Sequence, residues 1–265
     1  MNTTTKAGIG AITIVTAVVG GVAIAGTAAS AAFTGANVLM TGPTSTTAGV
    51  TGVTDLNVTV DAADVRVEFY EGTQARLESD NGDLDGWRLY RDGDELKLRS
   101  PDRGWNWFLP DWLNDGETVT LLLPESLSGL DAEFDVDAGA LRVDGEFGSL
   151  DATVNAGALN LDGSARSLDA EVNAGRADIA LADVQDAEFT VQAGRLTADL
   201  STVPRNVTAD VSAGQLTLTV PDDEYNVRKD VSAGTLNSDL RESSSSSNQV
   251  EVSVSAGTAN LRTGR

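Results

Sequence analysis

Residues 149–162 read SLDATVNAGALNLD, and the phase of their apolar residues decides the fold. Leu150, Ala152, Val154 and Ala156 alternate as a β-strand with one buried face. After Gly157 the apolar residues are Leu159 and Leu161, so the parity has slipped by one. In a continuous strand such a slip would turn the second set of side chains outward. A bend at Ala156-Gly157 repairs it, because the chain turns a corner and keeps the same side inward. Glycine is expected to supply unusual backbone angles at that corner, and alanine to fit its crowded inner side.

The same unit recurs as DVDAGALRVD (Asp135–Asp144), EVNAGRADIA (Glu171–Ala180), TVQAGRLTAD (Thr190–Asp199), DVSAGQLTLT (Asp210–Thr219), DVSAGTLNSD (Asp230–Asp239) and SVSAGTANLR (Ser253–Arg262). An earlier copy, TVDAADVRVE (Thr59–Glu68), carries Ala63 in place of glycine, and its corner is expected to bend less sharply. The corner glycines are Gly139, Gly157, Gly175, Gly194, Gly214, Gly234 and Gly257, at spacings that drift from 18 to 23 residues. A constant core with a drifting period confines insertions to the turns. Each unit is then two short strands, a tight Ala-Gly corner and a polar turn. Stacking the units in register buries one seam of Val, Ala and Leu. The fold expected is all-β, a parallel β-solenoid of ~18–20-residue coils. The rival is an antiparallel sandwich of hairpins, less favoured because tight hairpin turns prefer Asn-Gly or Asp-Gly.

Composition agrees with a thin core of this kind. Hydrophobic residues make up 41% of the 265 residues but aromatics only 5%. The formal charge is −22, a surface that repels nucleic-acid phosphates and anionic lipid headgroups but attracts cations or basic polymers. The chain has neither Cys nor His, which removes disulfides, thiolate metal sites, cysteine nucleophiles and the usual general base. No enzyme and no cofactor are expected.

Residues 7–33, AGIGAITIVTAVVGGVAIAGTAASAAF, are almost wholly apolar or small and long enough to span a bilayer as one helix. Lys6 is the only charge before them, which places residues 1–6 in the cytoplasm and the remainder outside. A cleaved signal peptide ending near Ala29-Ser30-Ala31 is the alternative, and it sends the remainder outside as well. Residues 34–52, rich in Thr, Gly, Ser and Ala, read as a flexible linker, with the repeat domain over 53–265.

The repeat lapses between Glu71 and Gly129. Arg88–Tyr90 and Glu95–Leu98 flank Asp92-Gly93 as a hairpin. The insertion at 103–116 follows, with Trp105, Trp107, Phe108 and Trp112. It reads as a cap over the solenoid end or as an aromatic platform for a glycan, lipid headgroup or protein partner. Asn81, Asp83, Asp85, Gly86 and Asp92 approximate a calcium loop, but no helices flank them and a solvated acidic turn is the simpler account. Asp144, Asp162 and Asp199 recur after corresponding strands and could flank a sugar as a pair of carboxylates. Repetition argues against that, since an active site needs different residues in different roles. The run Ser243–Ser247 reads as a flexible loop.

The stretch Leu121–Ile179, with its Leu-Pro-x-Ser-Leu entry and Ala-Gly repeat, resembles the toastrack-type putative-adhesin family of bacterial β-strand repeat domains of unknown function, common in actinobacteria behind a single membrane span. The resemblance covers roughly Val53 to Leu261. It implies a right-handed β-solenoid or a closely related stack, and a role at the cell envelope. That role is adhesion, binding or scaffolding, with an envelope protein or glycan as partner. The alternatives are an accessory sensor of envelope stress and, less favoured, a polysaccharide-active enzyme.

Overall fold

The computed structural model describes residues 47–80, 84–101 and 118–264. The expected tail and membrane helix (1–6 and 7–33) and the aromatic insertion (103–116) lie outside them. No helix among the described residues is long and apolar enough to cross a membrane.

The described chain is all-β, and each repeat unit supplies one strand to each of two sheets. The regular coils are β8 (Asp131–Val136) with β9 (Ala140–Glu146), β10 (Ser149–Val154) with β11 (Ala158–Ser164), and β12 (Ser167–Val172) with β13 (Arg176–Ala182). They continue as β14 (Asp186–Val191) with β15 (Arg195–Leu200), and β16 (Asn206–Val211) with β17 (Gln215–Val220). At the N-terminal side lie β1 (Thr47–Gly49), β2 (Asp55–Val60), β3 (Asp64–Tyr70), β4 (Gln74–Ser79), β5 (Arg88–Asp92), β6 (Glu95–Arg99) and β7 (Thr118–Pro124). At the C-terminal side lie β18 (Glu224–Val231), β19 (Thr235–Ser238), β20 (Arg241–Glu242), β21 (Gln249–Val254) and β22 (Thr258–Thr263). The first sheet runs β1-β4-β7-β3-β9-β11-β13-β15-β17-β22-β19, and the second β20-β18-β21-β16-β14-β12-β10-β8-β2-β6-β5. Pairing between coils is parallel, for example Val154 beside both Val136 and Val172. That register excludes the antiparallel sandwich. Among the described residues, antiparallel pairs occur only around β1, β4 and β7 and in the β5–β6 hairpin, where Gly93 takes φ 68°.

Register converts the repeat into ladders. The valine of each unit stacks as Val60, Val136, Val154, Val172, Val191, Val211, Val254 and Val231. All but the terminal Val231 are buried. Burying each such side chain stabilises the fold by roughly 1.5–3 kcal/mol. Side-chain volumes offset one another within coils. Phe134 and Phe189 share coils with Val143 and Ala198, whereas Ala152 and Ala170 share theirs with Leu161 and Ile179. The same inward position therefore alternates large and small residues without opening the core. The insertions that make the period drift fall in the turns after the second strand of each coil, as at 183–185 and 201–205.

The corner glycines have a different reason from the expected one. None of the seven has positive φ; Gly52, Gly86, Gly93, Gly129 and Gly163 do. Each corner glycine instead lies directly against the corner of its neighbour. A Cβ on Gly157 would sit 2.5 Å from the Gly139 carbonyl oxygen and 2.5 Å from Val136 Cγ1. The neighbouring carbonyl cannot move aside, because Ala158 N–H donates to Gly139 O at 2.9 Å. In every case the missing Cβ points toward the preceding coil in the stack. This explains Ala63. The strands before it are β6 and β7, and the sequence that joins them contains no Ala-Gly pair. Ala140 N–H donates to Ala63 O at 2.9 Å, as at the other corners.

Two further expectations, on the linker and on the serine run, are corrected, and the order of the coils is a separate finding. Residues 47–49, inside the expected linker, form β1, because Val50 and Val53 are buried in the core and draw the chain in. The units do not stack strictly in sequence order. The coil of β2 and β3 lies inside that of β6 and β7, and the last coil, β21 and β22, is wedged between β17 and β19 and between β16 and β18. The serine run is the connection that makes this return possible, and it is tied down. Ser246 Oγ donates to Glu224 O at 2.7 Å, Ser243 N–H to Tyr225 O at 2.8 Å, and Asn248 N–H to Ser246 Oγ at 3.1 Å. Small hydroxyls there satisfy backbone groups that a bulkier loop would leave unpaired.

Candidate functional site

The outward side chains of the two sheets differ in kind. On the second sheet, the position three before each valine forms the row Lys97, Asn57, Glu133, Asp151, Asp169, Glu188, Thr208, Glu251 and Arg228. The position one before forms Arg99, Thr59, Asp135, Thr153, Glu171, Thr190, Asp210, Ser253 and Asp230. A third row adds Glu95, Asp55, Asp131 and Asp186. The cations in these rows, Lys97, Arg99 and Arg228, all stand on the end coils. Four consecutive carboxylates, Glu133 to Glu188, thus repeat at the inter-strand spacing of about 4.8 Å. The outer face of the first sheet is mixed, with Arg66, Arg142, Arg176 and Arg195 among Asp64, Asp178, Asn160 and Thr197.

Stacking like charges has an electrostatic consequence. The Asp169 carboxyl is pushed up to about 6 by partial burial, then by Glu188, Asp151 and Glu171. Asp135 is likewise raised to about 6 by partial burial, with Glu133 and Asp137 adding and Arg99 opposing. Asp151 is raised by partial burial and by Glu133 and Asp131. Polar donors relieve some of the row: Asn57 Nδ2 donates to Glu133 at 2.7 Å and Ser149 N–H to Asp131 at 2.7 Å. Beside the corners an amide stack runs from Asn173 to Asn155 (2.9 Å) and from Asn155 to Asp137 (2.7 Å). At one end of the acidic face an open depression of about 430 Å³ is lined by Asp55, Asp94, Glu95, Asp131, Glu133 and Asp151. Among the described residues no group of three or more carboxylates is arranged to hold a metal ion. The spacing suits a partner carrying several separated cations better than chelation of one ion.

The residues singled out from sequence fall elsewhere. Asp144, Asp162 and Asp199 are exposed in one row of the first sheet, interrupted by Ala180, and do not converge across a groove. Asp144 borders a second open depression, of about 610 Å³, with Glu68, Phe69, Glu125 and Glu146. Of the calcium candidates, Asn81 and Asp83 lie outside the described residues, and Asp92 pairs with Lys97 at 3.5 Å. Trp105, Trp107, Phe108 and Trp112 also lie outside them. The acidic face does not include the aspartates after each corner, which lie on the first sheet. Its signal was present as the residue three before each valine.

No family model matches the chain, and no curated protein matches its sequence. Among solved structures the chain is similar to a putative cell adhesion protein from Clostridium sporogenes ATCC 15579. The identity is 14% over 82% of this chain and 96% of that one, with a TM-score of 0.36. It is also similar to a putative adhesin from Bacteroides fragilis NCTC 9343, at 13% identity over 81% of this chain and 94% of that one, with a TM-score of 0.42. At these TM-scores the assignment of a two-sheet parallel stack rests on the strand register itself.

Proposed function

We propose that this chain is a non-enzymatic binding or scaffolding module of the cell envelope, whose second sheet meets a cationic partner surface. Residues 7–33 hold it on the membrane as a single span, with the repeat domain outside. The coils wind right-handed, the hand favoured by parallel crossover connections. The observation that carries the reading is the unlike charge of the two outer faces. One sheet presents aligned carboxylates and the other an interspersed, nearly balanced mixture. A stiff array of this kind engages many weak contacts at once, which suits adhesion more than turnover.

The test is retention of the full-length chain, in detergent, on polylysine-coated and on uncharged beads. Binding to polylysine should fall steeply with salt. It should fall again when Asp151, Asp169 and Glu188 are replaced by Asn, Asn and Gln. Neutralising Asp144, Asp162 and Asp199 on the other sheet changes net charge equally and should leave retention intact. Equal loss in both triple variants would show that bulk charge alone is responsible and would sink the assignment of the face.

A further inference from the structure

The two ends of the stack are finished differently. At one end β1, β4 and β5 turn antiparallel, and Trp87 is buried beneath them. At the other end the outermost coil is β18 and β19. There β20 pairs only with Glu224 and Tyr225, which leaves the outer edge of Asn226–Val231 without a strand neighbour among the described residues. The edge of β19 is open in the same way. Val231 is 42% exposed here, the one large hydrophobic side chain so exposed among the described residues.

Register shows what the last coil does to the core. One inward ladder runs Leu98, Val58, Phe134, Ala152, Ala170, Phe189, Ala209 and Val252, and then ends on Lys229. A second runs through Ile179, Ala198, Leu218 and Leu261 and ends on Ser238. A lysine thus continues the inward row at the open end of the stack, where it is exposed, and its ammonium pairs with Glu242 of β20. An inward-pointing charge is a known way to stop an edge strand from recruiting another.

We propose that this end is a latent self-association edge for a second copy of the chain, held shut by Lys229 and its bridge to Glu242. A second copy is the occupant that the residues of β18 match. An antiparallel pairing centred on residue 229 sets Arg228 opposite Asp230 of the copy, twice, and Val227 opposite Val231, twice. Opposed residues of an antiparallel pair share a face, so the charged pairs lie outside and the valines inside. The pairing also places Lys229 against itself at the centre, where like charges repel. The adjoining edge of β19, Thr235–Ser238, carries no charge that would oppose a copy.

The experiment is light scattering coupled to size exclusion on the full-length chain in detergent, with the protein mass separated from the micelle, across a concentration series. Wild type should stay at its monomer mass of 27.5 kDa, and Lys229→Val should double it. Adding Asp230→Arg to Lys229→Val should restore the monomer by opposing two arginines, and adding Arg228→Asp as well should restore the dimer. Lys229→Met is run beside Lys229→Val, with far-UV circular dichroism confirming the β-fold of each. Folded Lys229→Val and Lys229→Met that both remain monomeric overturn the proposal. So does a dimer indifferent to Asp230→Arg, or a wild-type chain already dimeric.

Discussion

Replacing Gly157 with alanine isolates the reason for the corner glycine. The added methyl would lie 2.5 Å from Gly139 O and 2.5 Å from Val136 Cγ1, about 1 Å inside normal contact on two sides at once. Relief requires the two coils to part locally. Around this corner Asn155 N–H donates to Val136 O at 2.8 Å, Ala156 N–H to Asp137 O at 2.8 Å and Ala158 N–H to Gly139 O at 2.9 Å. Parting by that amount lengthens all three beyond useful range. Overpacking of this degree costs about 1–3 kcal/mol, each weakened backbone bond about 1 kcal/mol, and the stiffer unfolded chain returns about 0.4–1 kcal/mol. The net expectation is a destabilisation of roughly 3–5 kcal/mol. Gly49→Ala is the control, since nothing lies within 4 Å of its Cβ position, and it should fall within about 0.5 kcal/mol of wild type. Gly129→Ala separates the two kinds of requirement: its Cβ position is also open, but its φ is 85°, so it should cost about 1–2 kcal/mol through backbone strain alone. Urea unfolding of the full-length chain followed by far-UV circular dichroism reads all three. If Gly157→Ala and Gly49→Ala unfold at the same urea concentration, close approach is not what selects glycine at the corners.

Two further outcomes follow from the electrostatics and the topology. Asp135 and Asp169 titrate near 6 in the fold against an ordinary 3.8, so the folded chain holds extra protons between those values and gains stability as pH falls through them. Lowering pH from about 7.5 to about 5 should raise stability by roughly 1 kcal/mol per group after solvent screening, read as a higher thermal midpoint, and Asp169→Asn should shrink that rise. A midpoint that falls over the window contradicts the repulsive account of the face. Deleting residues 249–265 should strip hydrogen-exchange protection from residues 224–242 as well, because β18 and β19 lose the strands they pair with, whereas β14 and β15 should keep theirs. Persistent protection over 224–242 would mean that β18 and β19 can pair directly with β16 and β17.

The parity slip at Ala156-Gly157 was enough to read the two-sheet coil, because burial of one face leaves a period-2 signal that a slip cannot hide. What it could not show was why glycine is there. Backbone angle and close approach both select glycine, and only the position of Gly139 O distinguishes them. The order of the coils was equally silent. The units of β18–β19 and β21–β22 carry nearly the same residues, so either could stack on β17, and the choice depends on the length and hydrogen bonds of residues 239–248. The acidic face was present in plain view at the position three before each valine. Alternation alone marks those residues as outward and soluble. Stacking is what turns separate surface carboxylates into a continuous row.

The placement of β2 between β6 and β8 has a mechanical meaning. Pull on the chain from its N-terminal side reaches the three-residue β1 first, and that strand lies at a sheet edge and peels from β4 alone. Strand β2 comes next, and it is bonded along both sides. It cannot be unzipped one bond at a time from a free edge. Its bonds to two neighbours must shear together, while Leu56, Val58 and Val60 leave the core in the same step. The early reversal of coil order therefore sets a threshold against tension where the stack begins, and a stack wound strictly in sequence order would offer its first coil to be unwound.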